Sequence, residues 1–121
     1  MKIAVTSQNG DIQSPVDRRF GRAGKFIIYD TVSGKYSTAE NVQNLNAEQG
    51  AGIQSAQNLI NSGVDCVITG HCGPKAFKLL KAADIRIYTV PSSCNVEDAI
   101  KKFSNGELPP LNDADVEGHW V

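Results

Sequence analysis

The stretch Asp65–Leu80 reads DCVITGHCGPKAFKLL. Its first part, Cys66-Val67-Ile68, is a short apolar run that fits a buried strand. Its last part carries apolar residues at helical spacing behind Pro74, which suits the first helical position because the N–H it lacks would have no partner there. Between the two lies a Gly-flanked His71-Cys72 pair. Strand, tight turn and helix N-terminus therefore meet at one point, with a thiol and an imidazole on the turn. The unpaired N–H groups of a helix start carry partial positive charge and favour anions. A soft ligand beside such a backbone suggests a site for an anionic species containing sulfur or metal.

Outward from this unit the elements alternate. Ile85 to Val90 alternates in polarity and predicts a strand, and Asn95 can cap a following helix with Asp98 three residues on. Val96, Ala99, Ile100 and Phe103 form the inward face of that helix, and Gly106 ends it. Upstream, Ile53, Ala56, Leu59 and Ile60 share one face of a helix that starts near Gly52 and stops at Gly63. The spacing predicts an inward stripe of Ala76, Phe77, Leu80 and Ala83 in the helix behind Pro74. Ile3-Ala4-Val5, Phe26 to Asp30 and Tyr36 to Glu40 read as strands, the last two joined by a turn at Val32-Ser33-Gly34-Lys35. Ser7 to Arg22 and Asn41 to Gly50 are polar and read as loops.

Three strands followed by helix–strand–helix–strand–helix define an α/β class. The opening strands can form an antiparallel meander, whereas strands joined through helices lie parallel with right-handed crossovers. A mixed five-stranded sheet flanked by helices follows. If the first strand lies beside the fourth, their C-terminal ends form a topological switch point, where ligands of open α/β sheets collect. Ser7 to Arg22 and Gly70 to Pro74 are the loops that leave it.

The chain has 121 residues, 40% of them hydrophobic and 21% charged, with a formal net charge of -1. That balance fits one globular domain and gives no reason to expect nucleic acid or an acidic membrane as partner. No apolar stretch approaches the ~20 residues of a membrane helix, and MKIAVTSQNG lacks a signal-peptide core. Three cysteines at spacings of six and 22 do not resemble a disulfide framework. A reducing cytoplasm is the expected setting. Residues 1–108 are expected to form the α/β domain, and 109–121 an acidic, mobile or loosely docked tail with Asp113, Asp115, Glu117 and the incidental His119.

Cys72 is the strongest candidate, because a thiol before a helix start is biased towards thiolate; the bland alternative is a small residue tucked under a turn. His71 is balanced between ligand, anion donor and polar turn residue. Cys66 reads as packing, and Cys94 as a second soft contact or a loop cap. Arg18, Arg19 and Arg22 crowd the first loop, and guanidinium groups suit multivalent anions. Asp17 reads as an orienter or cap of that loop. Lys75 is a weaker anion candidate on the first turn behind Gly73-Pro74. No C-x-x-C pair supports a structural zinc or a standard iron–sulfur site. The glycine signatures of nucleotide binding are missing. The first strand has no carboxylate for a two-metal nuclease.

MKIAVTS, Asp17 with Phe20-Gly21-Arg22-Ala23 before FIIYD, VITGHCGPKAFKLL, Ile85-Arg86-Ile87-Tyr88 and a last helix ending in NGEL together resemble the dinitrogenase iron–molybdenum cofactor biosynthesis family. That group comprises NifX-like and NifB C-terminal-like domains and includes the molybdenum–copper orange protein. The resemblance spans about Met1 to Leu108. It implies an RNase-H-like α/β fold and a non-catalytic role in binding, carrying or storing a metal–sulfur cluster. The cargo would be a molybdenum–copper sulfide cluster or an iron–molybdenum cofactor precursor, with a protein partner for delivery. The positions that match the family pattern are Phe20, Gly21, Arg22, Gly70, Cys72, Gly73, Pro74, Ala76 and Phe77. Cys72 and His71 are the residues expected at the metal, and Arg18, Arg19, Arg22, Lys75 and Cys94 around the cluster. Two other readings stand beside it, a regulatory domain with a vestigial pocket and an enzyme that depends on Cys72.

Overall fold

The computed structural model of the chain describes residues 1–42, 50–91 and 93–112. Five strands, β1 (Lys2–Ser7), β2 (Lys25–Asp30), β3 (Tyr36–Glu40), β4 (Cys66–Thr69) and β5 (Arg86–Thr89), form one sheet in the order β3-β2-β1-β4-β5. Three helices complete it: α1 (Ala51–Asn61), α2 (Pro74–Ala82) and α3 (Val96–Ser104). β1 runs antiparallel to β2 with Val5 opposite Ile27, and parallel to β4 with Val5 opposite Ile68. β4 and β5 are parallel, β2 and β3 antiparallel. The first and fourth strands are therefore neighbours, as the switch-point reading requires.

Period-2 alternation splits the sheet residues between two cores. Ala4, Phe26, Val67 and Ile87 face a layer built from Phe20, Ala56 and Leu59 of α1, and Ala76 and Leu80 of α2. Ile3, Val5, Ile27, Cys66 and Ile68 face Val96, Ala99 and Ile100 of α3. Only β1 and β4 are buried along nearly their whole length, in keeping with their place at the middle of the sheet.

Local chemistry sets the helix ends. Asn95 Oδ1 accepts the Asp98 N–H at 2.8 Å, so α3 begins with a side-chain cap, and Glu97–Asp98 and Lys101–Lys102 complement its dipole. α1 stops at Gly63, whose φ of +69° belongs to the left-handed region. α2 stops at Ala82, one residue before Ala83, which is exposed rather than inward as its spacing suggested. Asp84, at φ +60°, makes the left-handed cap there: its N–H donates to Lys81 and that of Ile85 to Leu80. Past α3, Leu111 N–H donates to Ile87 at 2.7 Å and Thr89 N–H to Pro109 at 3.3 Å, so residues 109–111 run along the outer edge of β5. Asp113, Asp115, Glu117 and His119, and most of the Asn41–Gly50 segment, lie outside the described residues.

Candidate functional site

Three loops leave the C-terminal ends of β1, β4 and β5, and backbone hydrogen bonds stitch them together. Asp17 N–H donates to Thr6, the penultimate residue of β1, at 2.9 Å. His71 N–H donates to Arg18 C=O at 2.7 Å, and Phe20 N–H to His71 C=O at 3.1 Å. Val16 N–H reaches Cys94 C=O at 2.9 Å. The arginine segment thus lies as a strap across the turn between β4 and α2, and its start is tied to the loop after β5.

Two features set the height of the strap. A Cβ on Gly70 would sit 2.5 Å from Arg18 Cβ and from Arg18 C=O, so only glycine admits the crossing. Beneath it, Thr6 Oγ1 donates to Asp17 C=O at 2.6 Å and lies 2.9 Å from Thr69 Oγ1. Both threonines are fully buried. Asp17 Oδ1 accepts the Arg19 N–H at 3.1 Å, which makes Asp17 a cap of its own loop.

Phe20–Arg22 is a short 3₁₀ turn and not open loop. Phe20 is fully buried, with its ring 6.2 Å from that of Phe26, and a Cβ on Gly21 would lie 2.9 Å from the Gly52 backbone at the start of α1. Phe20 and Gly21 therefore dock the strap on the core, while Arg19 and Arg22 project into solvent. Arg18 differs from both. Its Nη2 donates to Val90 C=O at 3.3 Å, joining the strap to the end of β5. Its Nε is buried and has no hydrogen-bond partner among the described residues.

The thiol of Cys72 does not open to solvent. It is fully buried in the layer that holds Phe20 and Ala76, with Sγ 3.7 Å from Gly73 C=O. The strap accounts for this: a turn residue that would be exposed in an isolated βα unit is roofed by residues 18–21. His71 is half-buried beside Arg19, and Gly73 is the N-cap of α2, with Pro74 at its first turn. Lys75 is exposed on the same turn. Cys94 is half-buried, and burial pushes its thiol above the usual range. Cys66 packs in the core, where burial first and the nearby Asp65 carboxylate second push its thiol up to about 12. Among the described residues no group of three or more His, Cys, Asp and Glu side chains is arranged to hold a metal ion.

Thr6, Thr69 and the Val90 carbonyl did not stand out in the sequence, yet they hold Asp17 and Arg18 in position. For the two threonines the one signal is a hydroxyl at the C-terminal end of an otherwise apolar strand, a common pattern that does not name its partner, and for the Val90 carbonyl there is none. A depression of about 600 Å³, lined by Phe77, Lys81, Arg86, Tyr88 and Leu111, lies along β5 and α2 and includes none of the strap residues.

Strap, switch point and sheet order invite comparison with known proteins. The chain matches the dinitrogenase iron–molybdenum cofactor family over residues 1–106. It belongs to that family. It is 34% identical over 110 residues to the uncharacterized protein MJ0580 of Methanocaldococcus jannaschii, with 89% of each chain covered. The apo form of the orange protein from Desulfovibrio gigas has a TM-score of 0.88 and 34% identity, covering 95% of this chain and 96% of that one. A putative NifB protein from Thermotoga has a TM-score of 0.82 and 37% identity, covering 97% and 98%. Family membership and these likenesses extend across β1 to α3, so they include the strap and the Gly70–Pro74 turn.

Proposed function

We propose that this chain binds an anionic metal–sulfur cluster as cargo, non-catalytically, where the arginine strap crosses the Gly70–Pro74 turn. The observation that carries the reading is the buried, unpartnered Nε of Arg18. A buried donor without a partner costs about 1–3 kcal/mol, and an anion that accepts from it recovers that cost through a charge-assisted bond. Arg19 and Arg22, exposed on the same strap, add mobile positive charge around that point. The donor set fits such a cargo. A thiomolybdate-type cluster brings its own sulfides, so its host needs positive charge, N–H donors and an apolar wall more than a ring of thiolates.

Membership of the dinitrogenase iron–molybdenum cofactor family supports a cluster that contains molybdenum, either a molybdenum–copper sulfide cluster or an iron–molybdenum cofactor precursor. The likeness to the apo orange protein favours the first of these for an initial trial. Cys72 could ligate only after the strap lifts, because its thiol is fully buried. His71 needs a smaller movement, being half-buried at the rim.

The test is to mix apo-protein with tetrathiomolybdate, with and without copper, desalt it, and record the visible spectrum with metal analysis. The expected result is a charge-transfer band that co-elutes in stoichiometric amount. Arg18→Gln is expected to weaken retention about tenfold, the value of one charge-assisted hydrogen bond. Arg19→Ala and Arg22→Ala should each weaken it less and leave the melting temperature unchanged. A colourless, metal-free eluate from the wild type would displace the molybdenum–copper reading in favour of a regulatory domain.

A further inference from the structure

The chain stays on the sheet after α3. Leu111 N–H donates to Ile87 C=O at 2.7 Å, Thr89 N–H donates to Pro109 C=O at 3.3 Å, and Pro110 is bridged antiparallel to Tyr88. Residues 109–111 therefore run along the outer edge of β5 in the direction that leads away from the strap. Asn112, where the described residues end, lines the depression of about 600 Å³ between α2 and β5. The nine residues that follow, Asp113 to Val121, read DADVEGHWV and lie outside the described residues.

The depression has an apolar floor and a positive rim. Phe77, Tyr88 and Leu111 are half-buried in it, and Lys81 and Arg86 are exposed beside them. Lys81 Nζ stands 5.5 Å from the centroid of the Phe77 ring, which holds its charge over the floor. Neither cation makes an ion pair among the described residues. Asp84 is the one carboxylate among the described lining residues, and it sits on the turn after α2. Such a surface suits an acidic segment that carries a large apolar side chain. Residues 113–121 have that composition: Asp113, Asp115 and Glu117, no Lys or Arg, and Trp120, the one tryptophan of the chain.

The direction of the edge agrees with the charges. Leu111 packs against the core layer beneath α2. Alternate residues of an extended segment share one side. Continuing the segment past Asn112 thus puts Asp113 on the side of Leu111, where α2 brings Lys81, with Asp115 and Glu117 at two-residue steps beyond. Arg86 neighbours Ile87 in β5 and falls on the opposite side, within reach of a segment that leaves the edge at the end of the strand. We infer that residues 113–121 fold over this depression in the same chain, with their carboxylates against Lys81 and Arg86 and Trp120 on the floor of Phe77 and Leu111.

The tether selects this occupant over an acidic peptide from elsewhere. Asn112 is already at the depression, so the segment is present there at an effective concentration of about millimolar. Nine residues span up to about 30 Å when extended, enough for Trp120 to return to the floor. The ion pairs are exposed and screened by salt, so docking is an equilibrium between closed and open forms and not a permanent seal. In the closed form the segment ties α2, the helix that starts at the Gly70–Pro74 turn, to the edge of β5. The inference does not depend on the cluster reading.

Trp120 reports on the contact without a label. In the full chain at low salt its fluorescence should lie to the blue of its emission in the urea-unfolded chain, with weaker quenching by acrylamide. Lys81→Glu replaces attraction by repulsion on an exposed helix position, and should lower the ratio of closed to open forms about fivefold, read as stronger quenching. Adding Asp113→Lys to Lys81→Glu should restore the shielding. Circular dichroism checks that each variant keeps its fold. A Trp120 as accessible in the wild type as in the unfolded chain overturns the proposal, and so does shielding that Lys81→Glu leaves unchanged. Shielding that grows with protein concentration would give the segment to a second copy of the chain and overturn it as well.

Discussion

A side chain at position 70 would have to enter space already held by Arg18. The contacts at 2.5 Å include a main-chain oxygen that two hydrogen bonds hold nearby, so the backbone cannot yield cheaply. Gly70→Ala is therefore expected to cost about 2 kcal/mol, in the range of an overpacked core. Urea denaturation should show a lower midpoint with an unchanged slope. Gly24→Ala is the matched control: its Cβ would find its nearest neighbour at 3.7 Å, and its stability should stay within about 0.5 kcal/mol of the wild type. This requirement at position 70 could not be read from the sequence, in which Gly70 looks like any glycine at a strand end. What decides it is a residue 52 positions upstream in the chain. The burial of Cys72, one of two readings its sequence allowed, could not be chosen from the sequence for the same reason. Helix-start chemistry was visible in GHCGP, but the layer that buries the thiol includes Phe20, far upstream in the chain.

Among the elements, those with local punctuation were the ones legible in the sequence. β3 coincides with the expected Tyr36–Glu40, and α2 begins at Pro74 as its missing N–H suggested. β1 extends to Lys2 and Ser7, beyond the apolar Ile3–Val5, because its antiparallel pairing with β2 runs the whole length from Lys2 to Ser7, whereas pairing with β4 covers only Ile3–Val5. The 3₁₀ turn at Phe20–Arg22 was hidden in a long polar segment, where one aromatic residue gives no periodicity. α3 is the clearest case of sequence-encoded structure, with Asn95 as its cap and opposite charges at its two ends. Asn95→Ala should cost about 1 kcal/mol, and Asn95→Asp should keep most of that stability, because a carboxylate caps equally well. Thermal unfolding followed by circular dichroism separates the two outcomes. A result in which both variants lose the same amount would overturn the capping role of Asn95 Oδ1.

For the whole molecule, the sheet between two apolar layers sets an alkaline limit. Cys66 lies in the layer covered by α3, and its thiol is raised from 9.0 to about 12. The folded state thus holds this proton more tightly than the unfolded chain. Stability from that source is complete below pH 9 and is lost as pH rises towards 12. Half-buried Cys94 shifts in the same direction. Asp30 has the opposite sign: the Val32 N–H lowers its pKa, so its small contribution fades in acid. Denaturation midpoints measured from pH 8 upward should fall for the wild type and fall less steeply for Cys66→Ala, which starts from a lower value because it leaves a small cavity. The sheet order has a further consequence. Its central strand is the first to be synthesised, and it needs one neighbour from residues 25–30 and another from residues 66–69. A chain emerging from the ribosome can close the β1–β2–β3 meander early, by local hairpin contacts. The other side of β1 then stays an open, apolar template until β4 emerges, and during that interval the nascent chain is most exposed to mispairing and most in need of a chaperone.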